Sequence, residues 1–328
     1  MNLNSNNNSL AKTLAFVPLI FTLTSTQALS SDDTQKTSHR INAKANLGWL
    51  SDESRNPERD FVSNTSRVNL IGQIAVSDDL AIAYQFGTYM NLANQPNQSF
   101  FGDHNQYVGL KGSFGELLVG RNDTMLKQSL GMADKFNDYV VDIKRLWQGE
   151  NRIKDAIWYK TNPINNFQFG VTYQPNKNDE QNDAWSYLLG YGDMGLKKTD
   201  LYLALGVDRN LKGYDVERIT AKFNFEGFNL GAGVQHQTHR ASGADDSGIL
   251  FNFAYPFEVN EVKMGIDFQF QNLDSDRATT LGLNYYYQGK NKIYLWYSNV
   301  DKHVQGANNG QDNTILSIGI EHWFDHQF

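Results

Sequence analysis

Seven histidines are the side chains of this sequence best suited to metal or acid–base chemistry, and their spacing works against shared sites. His236 and His239 are three apart in an alternating stretch, so in a strand they point to opposite faces. His322 and His326 share a face, but strand rise separates them by about 13 Å, too far to bind one ion. Asp274 and Asp276 in LDSDR could touch calcium, although a solvated turn is the simpler reading. There is no cysteine, hence no thiolate site and no disulfide. No GxSxG elbow or HExxH pair occurs, and GAGVQH (231–236) lacks the third glycine of a phosphate cradle. No metal and no cofactor are expected; a barrel hydrolase, which needs none of these motifs, stays as a rival.

The remaining chemistry is electrostatic, and it depends on what positions the charges. From about residue 39 onward the chain alternates. KANLGWL sets Ala45, Leu47 and Trp49 against Lys44 and Asn46, and SRVNLIGQIAV sets Val68, Leu70, Ile74 and Val76 against Arg67, Asn69 and Gln73. The same parity places Arg152 opposite Ile153 and Ile157. If the apolar faces meet lipid, Lys44, Arg67 and Arg152 all point to the other side. The stretch IEHWFDHQF (320–328) alternates as well, so Phe328 is expected to be a structural part of a strand.

Sixteen such strands can be traced, each about ten residues long, and most are joined alternately by tight and longer connections. The tight ones include SDD, FGE, NPIN, EG, VNE and GKNK; the longer ones are 51–60, 92–104, 124–152, 176–183, 240–247 and 301–313. Three compact connections, DMGLKK, RNLKGYD and LDSDR, blur the rule. An even-numbered antiparallel set of this kind predicts an all-β fold, a transmembrane β-barrel whose termini lie on the short-turn side. Closure is required because lipid offers an open strand edge no partners. A soluble β-sandwich would also alternate, but it would bury its apolar faces against each other. Aromatic residues near strand ends, such as Trp158 with Tyr159, Tyr285 to Tyr287 and Trp296 with Tyr297, suit membrane interfaces better.

Lys12 followed by LAFVPLIFTL (14–23) and TSTQALS reads as a secretory signal over residues 1–28, cleaved after Ala28 or Ser30, with the barrel over 29–328. No apolar run reaches the length of a membrane helix, about 20 residues. The net charge of −7 argues against a nucleic-acid partner.

AKANLG (43–48), SRVNLIGQ (66–73), YVGLKGSFGELLVGRND (107–123) and the terminal phenylalanine together resemble the general porins of Gram-negative outer membranes over the whole mature chain. The resemblance implies a homotrimer of sixteen-stranded barrels in outer-membrane lipid, each passing small hydrophilic solutes and ions without a chemical step. It also implies a third loop folded inward to narrow the pore, which here would be 124–152, an unusually long connection. On the family's pattern Asp134 and Asp138, with Asp142 in the same loop, supply the acidic side of the constriction. Lys44, Arg67, Arg152 and His104 supply the basic side, and Phe328 serves assembly. KFNDYVV (135–141) replaces the proline–glutamate–phenylalanine–glycine–glycine stretch frequent in the family, so a different loop tip is expected. A sugar-selective porin is the alternative within the class, with Tyr202, Tyr286, Tyr294 and Trp296 as candidate lumen aromatics, though they are scattered in sequence.

Overall fold

The computed structural model describes residues 35–93, 99–176, 182–301 and 313–328; the expected signal over 1–28 lies outside them. In chain order the elements are β1 (Ser38–Asp52), β2 (Arg59–Ser63), β3 (Arg67–Ser77), β4 (Leu80–Met90), β5 (Phe101–Gly112), β6 (Gly115–Asp123), α1 (Met125–Leu130), β7 (Arg152–Lys160), β8 (Phe167–Gln174) and β9 (Ala184–Tyr191). There follow β10 (Leu201–Leu211), β11 (Tyr214–Phe225), β12 (Phe228–His239), β13 (Ala244–Val259), β14 (Val262–Leu273), β15 (Asp276–Gln288), β16 (Asn291–Val300) and β17 (Asn313–Gln327). All strand pairs are antiparallel and join in one sheet that closes on itself through β1 and β17.

Seventeen strands make sixteen staves, because β1 pairs with β2 over Leu47–Ser51 and with β3 over Ser38–Lys44. Between the two halves, Asn64–Ser66 step out of the ladder with Thr65 at φ 51°. Backbone contacts still bridge the step, since Asn64 N donates to Asn46 O at 2.9 Å and Asn46 N to Ser66 Oγ at 2.9 Å. Alternation alone did not reveal this break. The connection expected at 240–247 is also shorter, because β13 already pairs with β12 at Ala244 opposite His239.

The exposure pattern rules out the sandwich. On β10, Leu201, Leu203 and Leu205 face outward and are exposed, whereas Tyr202, Ala204 and Asp208 are buried. On β11 and β12, Ile219 and Val234 are exposed while Arg218, Thr220, Lys222, Gln235 and Gln237 are buried. Apolar side chains outside and polar ones inside invert a water-soluble core, as a lipid-facing barrel demands. Aromatic rings gather beside the short turns: Phe225 and Phe228 flank Glu226–Gly227, and Phe228 stacks on Tyr255 at 4.5 Å.

The seam closes with Arg40 opposite Gln327 through Asp52 opposite Ile315. One step beyond, Phe328 N donates to His39 O at 2.9 Å and His39 N donates to Phe328 O at 3.3 Å. The Phe328 ring lies 5.8 Å from that of His39. Deleting Phe328 removes two backbone hydrogen bonds, each worth about 1 kcal/mol net, at the strand pair that closes the barrel. The yield of folded, heat-resistant barrel on gel-shift electrophoresis is expected to fall, while the conductance of the folded fraction stays unchanged. Equal folded yields would remove Phe328 from assembly.

Candidate functional site

Residues 124–151 form no strand. Their backbone polar groups therefore need partners elsewhere, and the inward-facing amides of the wall provide them. Gln269 Oε1 accepts from Lys135 N at 2.9 Å, Gln237 Oε1 accepts from Gln148 N at 2.9 Å, and Asn252 Nδ2 donates to Ala133 O. At the start of the stretch, Thr124 caps α1 by accepting from Lys127 N, and Leu126 N donates to Ser186 Oγ at 2.8 Å. Glycines on the wall make room for this packing. A Cβ on Gly206 would come 2.3 Å from Ser129 Oγ, and one on Gly248 would come 2.7 Å from Trp147 Nε1.

The apolar side chains of the stretch bury against the same wall. Phe136, Tyr139, Val141, Ile143 and Trp147 form one core with Leu250, Tyr294 and Trp296, and Met125 joins another with Leu188 and Tyr202. Tyr202, Tyr294 and Trp296 are thus covered: Tyr202 OH donates to Ser129 O at 3.1 Å, and Tyr139 packs edge-on against Tyr294 and Trp296. Of the four candidate rings Tyr286 alone is half-buried, so these positions offer no row of exposed aromatics for a sugar to slide along.

A cavity of about 410 Å³ lies between residues 137–150 of this stretch and the wall around β1, β3–β7 and β17. One row across the sheet sets its inner wall, with Trp323 opposite Lys44, Lys44 opposite Arg67, and Arg67 opposite Tyr89. Asp138 meets this row with its backbone at φ 84°, a conformation that Asp tolerates better than most residues. Its Oδ2 accepts from Lys44 Nζ at 2.7 Å and from Arg67 Nη1 at 2.9 Å. Burial alone would push the Asp138 carboxyl up, but the charges and hydrogen bonds of Lys44 and Arg67 outweigh it and hold it below the usual range. Next along the wall, Arg152 donates to Tyr89 OH at 2.6 Å and pairs with Asp123 at 3.0 Å, and Lys127 shares Asp123 at 3.2 Å.

Of the residues expected at the site, Arg67, Arg152, His104, Asp138 and Asp142 line the cavity together. His104 packs edge-on to Tyr89 at 4.7 Å. Asp142 also caps the short 3₁₀ turn Ile143–Arg145, accepting from Lys144 N at 2.8 Å, and pairs with the Lys144 ammonium at 3.2 Å. Lys44 is not a lining residue. It lies 1% exposed behind Asp138, also donating to Thr65 Oγ1 at 2.8 Å.

Asp134 does not join the others, which corrects the expectation of an acidic pair. Its carboxylate is buried beneath the stretch and accepts from Phe136 N, Ile143 N and Gln269 Nε2, each at 2.9 Å. Burial and the nearby Asp142 carboxylate push its pKa up, against the pull of these donors. Its position is that of an internal tie. Arg40, Lys127, Lys144, Lys290, Trp323 and Tyr89 line the cavity unforeseen. For Trp323 a signal existed, because it shares parity with Glu321 and Asp325, the polar face of the last strand.

An apolar belt outside, polar amides and charge inside, and a seam that closes without an edge define an outer-membrane β-barrel. The chain belongs to the Gram-negative porin family, whose model matches residues 25–327. Among characterised relatives, the major outer membrane protein P.IB of Neisseria meningitidis serogroup B is 23% identical over 193 residues. That match covers 56% of this chain and 56% of the relative, so the chain spans little more than half the length of the curated relatives it matches. Solved structures share the fold. An anion-selective porin from Comamonas acidovorans superposes with a TM-score of 0.69 at 17% identity, covering 88% of this chain and all (100%) of that one. OmpF of Salmonella typhi in complex with daunomycin gives 0.67 at 14% identity over 89% and 98%. The trimer form of OmpT from Vibrio cholerae gives 0.65 at 12% identity over 88% and 100%.

Proposed function

We propose that this protein is a water-filled diffusion channel of the outer membrane for small hydrophilic solutes and ions, with its constriction in the charged cavity. The observation that carries the reading is a passage lined by charge inside a barrel whose apolar side chains face outward. Opposed fixed charges across a narrow aqueous opening order water and disfavour apolar solutes that would displace it. In this reading Arg67 and Arg152 form the basic side with the His104 imidazole beside them, Asp138 and Asp142 form the acidic side, and Lys44 fixes Asp138 from behind. No chemical step and no cofactor are involved. The trimer recorded for the Vibrio cholerae relative supports a homotrimer in outer-membrane lipid here as well, and residues 1–28 are read as the export signal.

Purified protein added to a planar bilayer is expected to raise conductance in discrete steps, with closures in thirds if three pores travel together. Lipid and peptide hydrolysis should not exceed a heat-denatured control. Intact β-structure by circular dichroism with no conductance would overturn the channel, and hydrolysis above the control would revive the enzyme. The covered positions of Tyr202, Tyr294 and Trp296 weigh against the sugar-selective alternative.

A further inference from the structure

Resting on the reading that the passage conducts, we propose that Trp323 is a selectivity-determining positioning residue: its ring face holds Lys290 in the passage with no carboxylate in contact and packs on Arg67, as Tyr89 packs on Arg152, and the channel therefore favours anions. The contacts are explicit. Over the Trp323 ring lie Lys290 Nζ at 3.8 Å, Arg67 Cζ at 5.1 Å and Lys44 Nζ at 5.5 Å. Over the Tyr89 ring lies Arg152 Cζ at 5.4 Å, with its guanidinium also bonded to the hydroxyl.

A carboxylate that holds a cation cancels its charge, whereas an aromatic face holds it through the ring quadrupole and leaves the net charge in place. That difference decides the field in the passage. The lining carries six basic side chains, Arg40, Arg67, Lys127, Lys144, Arg152 and Lys290, against four acidic ones, Asp123, Asp138, Asp142 and Glu150. The acids are occupied: Asp138 is shared by Lys44 and Arg67, Asp123 by Arg152 and Lys127, Asp142 pairs with Lys144, and Glu150 with Arg218. Arg40 is matched by Asp325, and Glu321 sits 4.0 Å from Lys44 while accepting from Trp323 Nε1. Lys290 makes no ion pair among the described residues. It comes from the turn between β15 and β16 and reaches inward onto Trp323, so the ring is its contact partner, with Asp325 and Glu321 acting on it only from beyond ion-pair distance. A chain of net charge −7 thus lines this cavity with more basic than acidic side chains.

The test is the chloride-to-potassium permeability ratio, read from reversal potentials across a salt gradient in planar bilayers. The native protein should favour chloride. Trp323→Leu keeps apolar bulk and removes the quadrupole; the ratio should fall about two- to threefold, with conductance in high salt little changed, and Trp323→Phe should recover part of it. Lys290→Gln, in a turn outside the ladder, should lower the ratio similarly while Lys290→Arg keeps it, and this pair decides the matter if the Trp323 variants do not fold. A native channel that prefers potassium, or native ratios in both Trp323→Leu and Lys290→Gln, overturns the inference and leaves the channel reading intact. Absence of current from correctly folded native protein overturns the channel reading itself.

Discussion

Asp138→Asn is expected to move the reversal potential of the channel strongly toward the anion limit, and Asp134→Asn to leave it where it was. Lys44 and Arg67 share the Asp138 carboxylate at 2.7 and 2.9 Å, so the substitution leaves two cations without their common partner at the wall of the passage. Asparagine tolerates the positive φ of 84°, which separates the effect of charge from backbone strain. Lys44 is almost wholly buried, and its next carboxylate, Glu321, lies at 4.0 Å. Breaking a buried pair on one side costs about 3–5 kcal/mol; the low end applies here because Asp138 keeps a partly exposed edge. Thermal unfolding in detergent should register the loss together with the selectivity shift.

The pH dependence follows from the same contacts. Burial opposes ionisation of Asp138, but Lys44 and Arg67 hold its folded-state pKa below the unfolded value. The stability it contributes is therefore present above the unfolded carboxylate pKa, near 3.9, and is lost only as pH falls through the depressed folded value. Selectivity due to Asp138 should persist through mildly acid solution. Asp134→Asn, by contrast, changes a carboxylate that touches only Phe136 N, Ile143 N and Gln269. A shift of reversal potential as large as that of Asp138→Asn would refute the internal placement of Asp134.

The difference between these two aspartates marks what the sequence could and could not convey. Strand parity is a local, two-residue property; it correctly turned Arg67 and Arg152 inward, and it held the pattern to Phe328 at the seam. It carries no information about a segment that forms no strand. Asp134 and Asp138 are four apart in such a segment, and which of them meets Lys44 depends on where Phe136, Tyr139 and Trp147 find hollows in a wall assembled from distant strands. For the same reason Lys44 passed for a lining residue: parity gives its face, whereas its depth is set by Asp138 in front of it. Trp323 shares the parity of Glu321 and Asp325, but a tryptophan near a strand end reads first as a girdle residue. The broken stave at Asn64–Ser66 was hidden because β2 and β3 keep separate alternations on either side of the step.

Arg218 is expected to give the largest loss of stability of any single lumen substitution. It is fully buried on β11 and anchors the return limb of the inner stretch. Its guanidinium donates to Glu150 at 2.6 Å, to Gln148 O at 3.1 Å and to Gln235 Oε1 at 2.8 Å, and it lies 5.5 Å over the Trp147 ring. Arg218→Met preserves bulk but leaves the largely buried Glu150 carboxylate at the edge of the cavity without its cation, at a cost of about 3–5 kcal/mol. It also frees the 146–151 limb, whose other ties to the wall include Gln148 N to Gln237 and Trp147 Nε1 to Asn272 O. The expected result is a lower unfolding temperature together with larger, noisier single-channel currents, because the limb no longer holds the stretch against β11 and β12. Adding Glu150→Gln removes the stranded charge, so the double variant should regain part of the stability lost by Arg218→Met; the coupling between the two sites should be about 0.5–3 kcal/mol. Current noise should remain high in the double variant, since the hydrogen bond to Gln148 O is still missing. If Arg218→Met unfolds and conducts like the native protein, the inner stretch is held by its apolar contacts alone and Arg218 is not its anchor.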